Sequence, residues 1–311
     1  MKVAFVFPGQ GSQYMGMAKE FYAQIPEVRA LFEEANEALG WDVAQLCFEG
    51  PETDLVQTSN TQPALLTASI ACLKALEQQG LQGQMVAGHS LGEYSALVAA
   101  QSLGFADAVR VVRQRGLLME AAGGKDGGMA AVLGLDNEQV VSVCAEASAE
   151  GLVEPANYNC PGQVVISGTK AGIAKAMELA KAAGAKRVIE LSVSGPFHSG
   201  LMQEAGVQLE QTLAEVAIKA PAIPVIANVS TEVLTSPEQI RRSLVQQVSG
   251  SVRWEQSVRR MIEQGVTQFV EVGPGKVLSG LIKKINREVQ VVNVEDPASL
   301  ENALAKMGRV G

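Results

Sequence analysis

Several common signals are missing from this 311-residue sequence. No block of lysine and arginine stands out and the net charge is −8, so we expect no nucleic-acid binding. No apolar stretch reaches the roughly 18 residues that a membrane span needs. The apolar run at residues 3–7 ends at Pro8 and Gly9 and is too short for a signal peptide. We therefore expect a cytoplasmic protein that neither binds nucleic acid nor crosses a membrane.

Cysteine is also scarce. The four cysteines, at positions 47, 72, 144 and 160, share no spacing typical of metal ligands. In a chain of this size they are typical of the reduced, buried thiols of a cytosolic protein. We expect neither a metal site nor a redox site. What the composition does provide is 47% hydrophobic and 19% charged residues, which indicates a folded globular protein.

Apolar periodicity predicts an α/β fold in two parts. Strand patterns alternate with helical patterns over residues 1–124 and again over residues 197–311, as expected for a parallel sheet. Between them, residues 125–196 follow the order β-α-β-β-α-β, which is that of a ferredoxin-like unit. A glycine-rich stretch at residues 123–128 predicts the linker. We therefore expect a discontinuous, α/β-hydrolase-like large domain with a small ferredoxin-like subdomain inserted into it.

The individual elements follow from runs bounded by glycine and proline. Strands are predicted at residues 3–7, 85–87, 129–133, 153–157, 164–167, 186–191, 225–228, 268–272 and 289–292. Helices are predicted at residues 26–39, 61–79, 93–100, 106–119, 137–148, 171–183, 200–217 and 277–285.

The strongest chemical signal is Gly-His-Ser-Leu-Gly at residues 88–92. This G-x-S-x-G pattern lies between a predicted strand and a predicted helix, where a nucleophile elbow would lie. The glycines permit a tight turn, and a helix N-terminus favours negative charge beside Ser90. The alternative is a glycine-rich turn with a capping serine. We interpret Ser90 as a nucleophile.

A serine nucleophile needs a base, and the chain has two histidines. His89 is adjacent to Ser90 on a sharp turn and would point elsewhere, which leaves His198. A loop histidine bonded to backbone is the alternative. No aspartate stands at the position that a hydrolase triad requires. The sequence therefore predicts a serine–histidine dyad whose imidazole is oriented by a backbone carbonyl.

Two further positions are candidates for binding. Gln10 follows the first strand between two glycines, so its N–H can approach a ligand and act with that of Leu91 as an oxyanion hole. A plain turn is the alternative there. Arg115 lies on the apolar face of a predicted helix and needs an anionic partner. That partner is either a ligand or an internal glutamate.

In these motifs the sequence resembles the malonyl-CoA:acyl-carrier-protein transacylases of type II fatty acid synthesis. The resemblance spans nearly the whole chain. It rests on residues 9–13, 88–93 and 115–119, on the segments at 157–163 and 196–198, and on residues 271–278. Acyltransferase domains of polyketide synthases share much of this pattern.

The resemblance implies a role for each matching residue. Ser90 would be acylated and His198 would be its base, oriented by the backbone carbonyl of Gln247. Gln10 and Leu91 would supply the oxyanion N–H groups. Substrate contacts would come from Arg115, which would bind the malonyl carboxylate, and from Met119, Asn159 and Phe197.

The implied reaction is a ping-pong transfer of malonyl from coenzyme A to the phosphopantetheine thiol of acyl carrier protein, without metal or redox cofactor. Because carrier proteins of this family are acidic, we expect a local basic docking patch. Its candidate residues are Lys186, Arg187, Lys283, Lys284 and Arg287. The alternatives are a serine hydrolase or thioesterase, a polyketide-pathway acyltransferase, and a non-catalytic acyl-binding protein.

Overall fold

A computed structural model describes residues 2–124 and 126–308. The strands within these ranges are β1 (Lys2–Phe7), β2 (Met85–Gly88), β3 (Gly127–Leu133), β4 (Val153–Cys160), β5 (Gln163–Thr169), β6 (Arg187–Leu191), β7 (Val225–Ile226), β8 (Val233–Leu234), β9 (Val266–Val272) and β10 (Gln290–Val294).

The helices lie between these strands and after the last one. They are α1 (Lys19–Gln24), α2 (Pro26–Leu39), α3 (Val43–Glu49), α4 (Glu52–Leu55), α5 (Thr58–Gln78), α6 (Gly92–Ala99), α7 (Phe105–Gly123), α8 (Asn137–Ala147), α9 (Lys170–Ala182), α10 (Gln203–Ala214), α11 (Pro237–Ser249), α12 (Trp254–Glu263), α13 (Val277–Ile285) and α14 (Pro297–Lys306).

A six-stranded sheet in the order β10-β9-β1-β2-β7-β8 forms the centre of the fold. All of its pairings are parallel except that of β7 with β8, which is antiparallel. The mixed α/β class is therefore confirmed, but the sheet is not purely parallel. The central strands are buried and packed between helices, which explains why residues 3–7 of β1 and all of β2 are short uninterrupted apolar runs.

A second sheet of four strands has the order β4-β5-β3-β6, with every pairing antiparallel. Helices α8 and α9 pack on it and enclose a separate apolar cluster. The edge of β4 is hydrogen-bonded outside its own sheet, where the Tyr158 N–H donates to Val252 O at 2.9 Å and the Val252 N–H donates to Ala156 O at 2.8 Å. Strand β4 thereby contacts the segment between α11 and α12.

The predicted linker at residues 123–128 is too long. Helix α7 continues to Gly123 and β3 begins at Gly127, so three of the six predicted linker residues belong to a helix or a strand. Lys125, at the predicted domain boundary, lies outside the described residues, as do Met1 and residues 309–311 of the predicted large domain.

Several other elements depart from the prediction. The expected helix at residues 200–217 is a 3-10 turn at Gly200–Met202 followed by α10, and the strand expected at 225–228 is only β7. The short helices α1, α3 and α4, the strand β8 and the helices α11, α12 and α14 were not predicted. In the described ranges, none of the helices has the length and apolar character needed to span a bilayer.

Candidate active site

The carboxyl ends of β1, β2 and β9 lie together at one edge of the large sheet. Phe7 pairs with Gly88 and Val6 pairs with Glu271, so the loops that follow these three strands leave the sheet side by side. In open α/β sheets this edge is where ligands bind. A cavity of about 430 Å³ lies here.

Ser90 stands on a sharp turn between β2 and α6. Its φ is 51°, in the left-handed region that most side chains avoid. The turn is held by Asn228, whose Oδ1 accepts from the Ser90 N–H at 2.7 Å and whose Nδ2 donates to Gly88 O at 2.6 Å. Glycine is required at Gly92, because a Cβ there would overlap the carbonyl oxygen of Phe7. The geometry is that of a strand–turn–helix elbow, which raises the serine side chain at the sheet edge.

The Ser90 hydroxyl and the His198 imidazole are in direct contact. Ser90 Oγ lies 2.8 Å from His198 Nε2. On the other side of the ring, Nδ1 donates to Gln247 O at 2.7 Å and lies 3.2 Å from Gly250 O. These carbonyls fix the proton on Nδ1, which leaves Nε2 free to accept a proton from the serine.

His198 is neutral in this environment. Burial lowers its pKa to about 3, and the nearby Arg115 cation contributes in the same direction. His89 does not contact Ser90 through its ring. Its Nε2 lies 2.9 Å from Asn159 Oδ1, and its ring lies 5.8 Å from that of Trp254. His198 is therefore the imidazole that can serve as the base.

Gln10 and Leu91, the two residues predicted to form an oxyanion hole, lie at the same cavity. Both residues line it, and within the part of the chain that the structure describes neither backbone N–H has a protein acceptor. The Gln10 side chain donates to Thr58 Oγ1 at 3.1 Å. Two N–H groups without a protein acceptor, on residues that line the same cavity as Ser90, are suited to stabilising an oxyanion.

Arg115 reaches the site from α7 and is 1% exposed. Its Nη1 donates to Gln62 Oε1 at 2.8 Å, and its Nη2 donates to Gln247 Oε1 at 2.9 Å and to Ser90 Oγ at 3.1 Å. Among residues 2–124 and 126–308, no carboxylate lies within 4.0 Å of the guanidinium. The internal ion pair considered as an alternative is therefore not formed with any described residue.

The remaining predicted contacts also border the cavity. Met119, Asn159 and Phe197 are buried and line it together with Ser90, Arg115 and His198. Asn159 lies on β4, which extends to Cys160, three residues beyond the predicted strand end. Gln247 is fully buried behind the cavity on α11. The structure thus brings all nine predicted site residues to one place.

Sequence reasoning missed a layer of polar side chains behind the site. Glu93 on α6 is fully buried, and its Oε2 accepts from Gln247 Nε2 at 2.7 Å and from the Asn228 N–H at 3.1 Å. Its Oε1 accepts from Ser243 Oγ at 3.2 Å. Burial raises the pKa of Glu93 to about 7. One signal was available, since Glu93 is the only charged residue between Ser90 and Asp107.

The predicted basic residues are all exposed. Lys284 Nζ lies 3.4 Å from Oε1 of Gln163, which lines the cavity. Leu133 pairs with Gln163 on one side and with Arg187 on the other, so Arg187 lies two strands away from the same glutamine. Of the predicted basic residues, Lys284 thus contacts a residue that lines the cavity.

The chain is similar in sequence to known acyltransferases. The acyl transferase domain family matches residues 4–303, and the chain is an enzyme of the acyltransferase class. The malonyl CoA-acyl carrier protein transacylase of Bacillus subtilis is 52% identical over 305 residues, which cover 97% of this chain and 96% of the relative. The chain therefore belongs to the acyl transferase family, among the malonyl-CoA:acyl-carrier-protein transacylases.

Solved structures agree with this assignment. The acyl-carrier-protein S-malonyltransferase of Burkholderia pseudomallei is 51% identical and superimposes with a TM-score of 0.96, covering 98% of this chain and 100% of that one. A malonyl-transacylase in complex with a type II polyketide synthase acyl-carrier protein is 44% identical with a TM-score of 0.96, covering 98% of this chain and 100% of that one.

Proposed function

We propose that this enzyme transfers a malonyl group from malonyl-CoA to the phosphopantetheine thiol of an acyl carrier protein. The observation that carries the proposal is the Arg115 guanidinium. It is buried, has no carboxylate partner among the described residues and donates to Ser90 Oγ at 3.1 Å. A buried cation without a counter-ion beside a nucleophile is suited to an acyl group that carries its own carboxylate.

In the first half-reaction, Ser90 Oγ attacks the thioester carbonyl while His198 Nε2 takes the hydroxyl proton. The carbonyl oxygen becomes an oxyanion, which we assign to the N–H groups of Gln10 and Leu91. The intermediate then collapses, the carbon–sulfur bond breaks, and His198 returns the proton to the coenzyme A sulfur. Ser90 is left as a malonyl ester.

In the second half-reaction, the carrier-protein thiol attacks the malonyl ester and His198 takes the thiol proton. Collapse breaks the bond to Ser90 Oγ, which recovers the proton. Thioester exchange of this kind needs neither a metal nor a redox cofactor, and we propose none. We assign acyl contacts to Met119 and Phe197, which border the cavity beside Arg115, and to Asn159 at its β4 wall.

We assign carrier-protein docking to the basic residues Lys186, Arg187, Lys283, Lys284 and Arg287. Their support is that Lys284 contacts the cavity-lining Gln163, and that a relative has been solved with its carrier protein. An acidic carrier protein meets a protein of net charge −8, so local positive charge at the cavity rim would orient it.

Two features of organisation belong to the same proposal. The order β3-α8-β4-β5-α9-β6 and the sheet order β4-β5-β3-β6 support a ferredoxin-like subdomain at residues 125–196, inserted into a large α/β-hydrolase-like domain of residues 1–124 and 197–311. We place the enzyme in the cytoplasm. All four cysteines are free and buried, as suits a reducing compartment.

The deciding experiment is acyl transfer from a panel of acyl-CoAs to purified carrier proteins of fatty acid and polyketide synthesis. Intact-mass spectrometry of the enzyme would be run in parallel, with Ser90→Ala as the control. We expect a malonyl adduct on the wild type and malonyl-loaded carrier protein. Release of free malonate without loading would indicate a hydrolase and overturn the proposal, and the absence of any adduct would indicate an acyl-binding protein.

A further inference from the structure

The Gln247 side chain connects the two halves of the site. Its backbone carbonyl accepts from His198 Nδ1, and its side-chain Oε1 accepts from Arg115 Nη2 at 2.9 Å. Its Nε2 donates to Ser90 O at 3.0 Å and to Glu93 Oε2 at 2.7 Å. One glutamine thus touches the base, the elbow and the guanidinium.

Only one orientation of this amide is compatible with its neighbours. The Nε2 end faces two acceptors, the Ser90 carbonyl and the Glu93 carboxyl, while the Oε1 end faces a cation. If the amide turned over, its NH₂ group would face the guanidinium and its oxygen would face two oxygens. The contacts with the guanidinium and with the Ser90 carbonyl would then be repulsive, and so would the contact with an ionised Glu93 carboxylate.

The Glu93 carboxyl group lies behind the site and has two donors besides Gln247. The Asn228 N–H and the Ser243 hydroxyl both donate to its carboxyl group. It forms no part of the cavity wall and makes no hydrogen bond to Ser90 or His198 side chains. A fully buried carboxyl group is costly unless it is well bonded. Of its partners, Asn228 also supports the Ser90 turn, whereas Gln247 is the one that contacts the Arg115 guanidinium.

We propose that Glu93 is a positioning residue for acyl selection. By accepting from Gln247 Nε2 it fixes the amide so that Oε1 holds the Arg115 guanidinium in place for the acyl carboxylate. This inference rests on the proposed function, because it assigns to Glu93 a part in recognising a carboxylated acyl group.

The test compares malonyl-CoA with acetyl-CoA, measured as the ratio of their kcat/KM values for formation of the acyl-enzyme. Glu93→Met removes the acceptor and should lower this ratio about tenfold or more, since a hydrogen bond to a charged group is lost. Glu93→Gln should retain most of the ratio, because its carbonyl can still accept from Gln247. If Glu93→Met does not fold, Glu93→Asp should show the loss, since it keeps the charge but withdraws the acceptor by one methylene.

A double-mutant cycle decides whether the effect passes through Gln247. In a Gln247→Met background, Glu93→Met should cause no further change in the ratio. Val258→Ala, a buried apolar truncation on α12, serves as a destabilised control whose ratio should remain that of the wild type.

Three outcomes would overturn the inference. Equal losses for both acyl groups in Glu93→Met would make Glu93 merely structural. An undiminished effect in the Gln247→Met background would exclude action through Gln247, and a Glu93→Gln variant as impaired as Glu93→Met would make charge the cause. A wild type that loads no malonyl at all would instead contradict the proposed function itself.

Discussion

Ser90 Oγ lies 2.8 Å from His198 Nε2, and both residues hold a left-handed backbone, with φ of 51° and 59°. Neither is a glycine, so each conformation is strained and is maintained by its surroundings. The Asn228 side chain supports the Ser90 turn, and the carbonyl of Gln247 fixes the His198 ring. In these conformations the two side chains meet, although the residues are 108 positions apart in sequence.

The first prediction concerns this pair. Ser90→Ala should abolish formation of the acyl-enzyme, because the attacking oxygen is gone. His198→Ala should slow acylation by about a hundredfold or more, the usual contribution of a general base. Rapid-quench mass spectrometry of the malonyl adduct measures both. A His198→Ala enzyme that acylates at nearly the wild-type rate at neutral pH would rule out the dyad.

The second prediction concerns pH. The pKa of His198 is lowered from 6.5 to about 3, first by burial and then by the Arg115 cation, so the base stays unprotonated over the whole range above that. As the pH is lowered, we expect kcat/KM for acylation to show no decrease with a midpoint near pH 6.5. Arg115→Ala removes the neighbouring charge and should move the acid limb to higher pH. A wild-type limb near 6.5 would contradict the assignment.

The same shift sets the sign of a stability effect. The folded pKa of His198 lies below its unfolded value, so the unfolded state binds the proton more readily. The contribution of His198 is therefore fully present above pH 6.5 and is lost as the pH falls toward about 3. The slope from this one group is at most about 1.4 kcal/mol per pH unit. Urea denaturation of His198→Gln beside the wild type should show a shallower loss over that window.

The third prediction concerns Arg115. A guanidinium can bind a carboxylate through two parallel hydrogen bonds, which lysine cannot copy. In a buried pocket the loss of such a pair costs about 2–5 kcal/mol, or roughly 30- to 5,000-fold in kcat/KM for malonyl-CoA. Arg115→Ala should therefore lose malonyl transfer while keeping or gaining acetyl transfer, and Arg115→Lys should recover part of the malonyl rate.

A purely structural arginine would behave differently. Arg115→Ala would then lose malonyl and acetyl transfer equally, with a lowered melting temperature. Parallel kinetics with both acyl-CoAs and a thermal melt of each variant separate the two cases.

The fourth prediction concerns the basic residues proposed for carrier-protein docking. Reversing Arg187 and Lys284 to glutamate should raise the KM for carrier protein and leave the KM for malonyl-CoA little changed, because long-range attraction to an acidic partner is lost. The effect should weaken as salt is added. Lys74→Glu on α5 is the control, since Lys74 pairs with Glu77 and does not line the cavity. Equal increases in both KM values would argue against docking.

The fifth prediction concerns packing at the elbow. A Cβ on Gly92 would overlap the Phe7 carbonyl oxygen, so Gly92→Ala should lower the free energy of unfolding by about 1–3 kcal/mol. Gly280 on α13 is exposed, and a Cβ there meets nothing within 4 Å. Gly280→Ala should instead raise stability by about 0.5–1 kcal/mol, as expected for an exposed helix position. Denaturant titration of both variants checks the difference in sign.

The sequence by itself determined the elements whose apolar pattern is local. Helix α2 was predicted over its full observed range, Pro26–Leu39, because apolar residues recur at helical spacing and Gly40 follows. Helix α13 was equally clear between Gly275 and Asn286. The Ser90 motif could be predicted for the same reason, since a strand, a glycine turn and a helix are adjacent in the chain.

Tertiary structure decided what depends on groups that are distant in the sequence. Helix α11 was not predicted, although its buried side is regular, and its Gln247 was named through resemblance alone. That a single glutamine joins His198, Arg115 and Glu93 follows only from the packing of α6, α7 and α11 behind the sheet edge. Likewise, the sequence left open whether Arg115 pairs with a glutamate. Its guanidinium donates to neutral glutamine oxygens, whereas the buried carboxyl group of Glu93 accepts from Gln247, Asn228 and Ser243. Which of these groups pair depends on how helices distant in sequence pack together, so the sequence alone could not predict it.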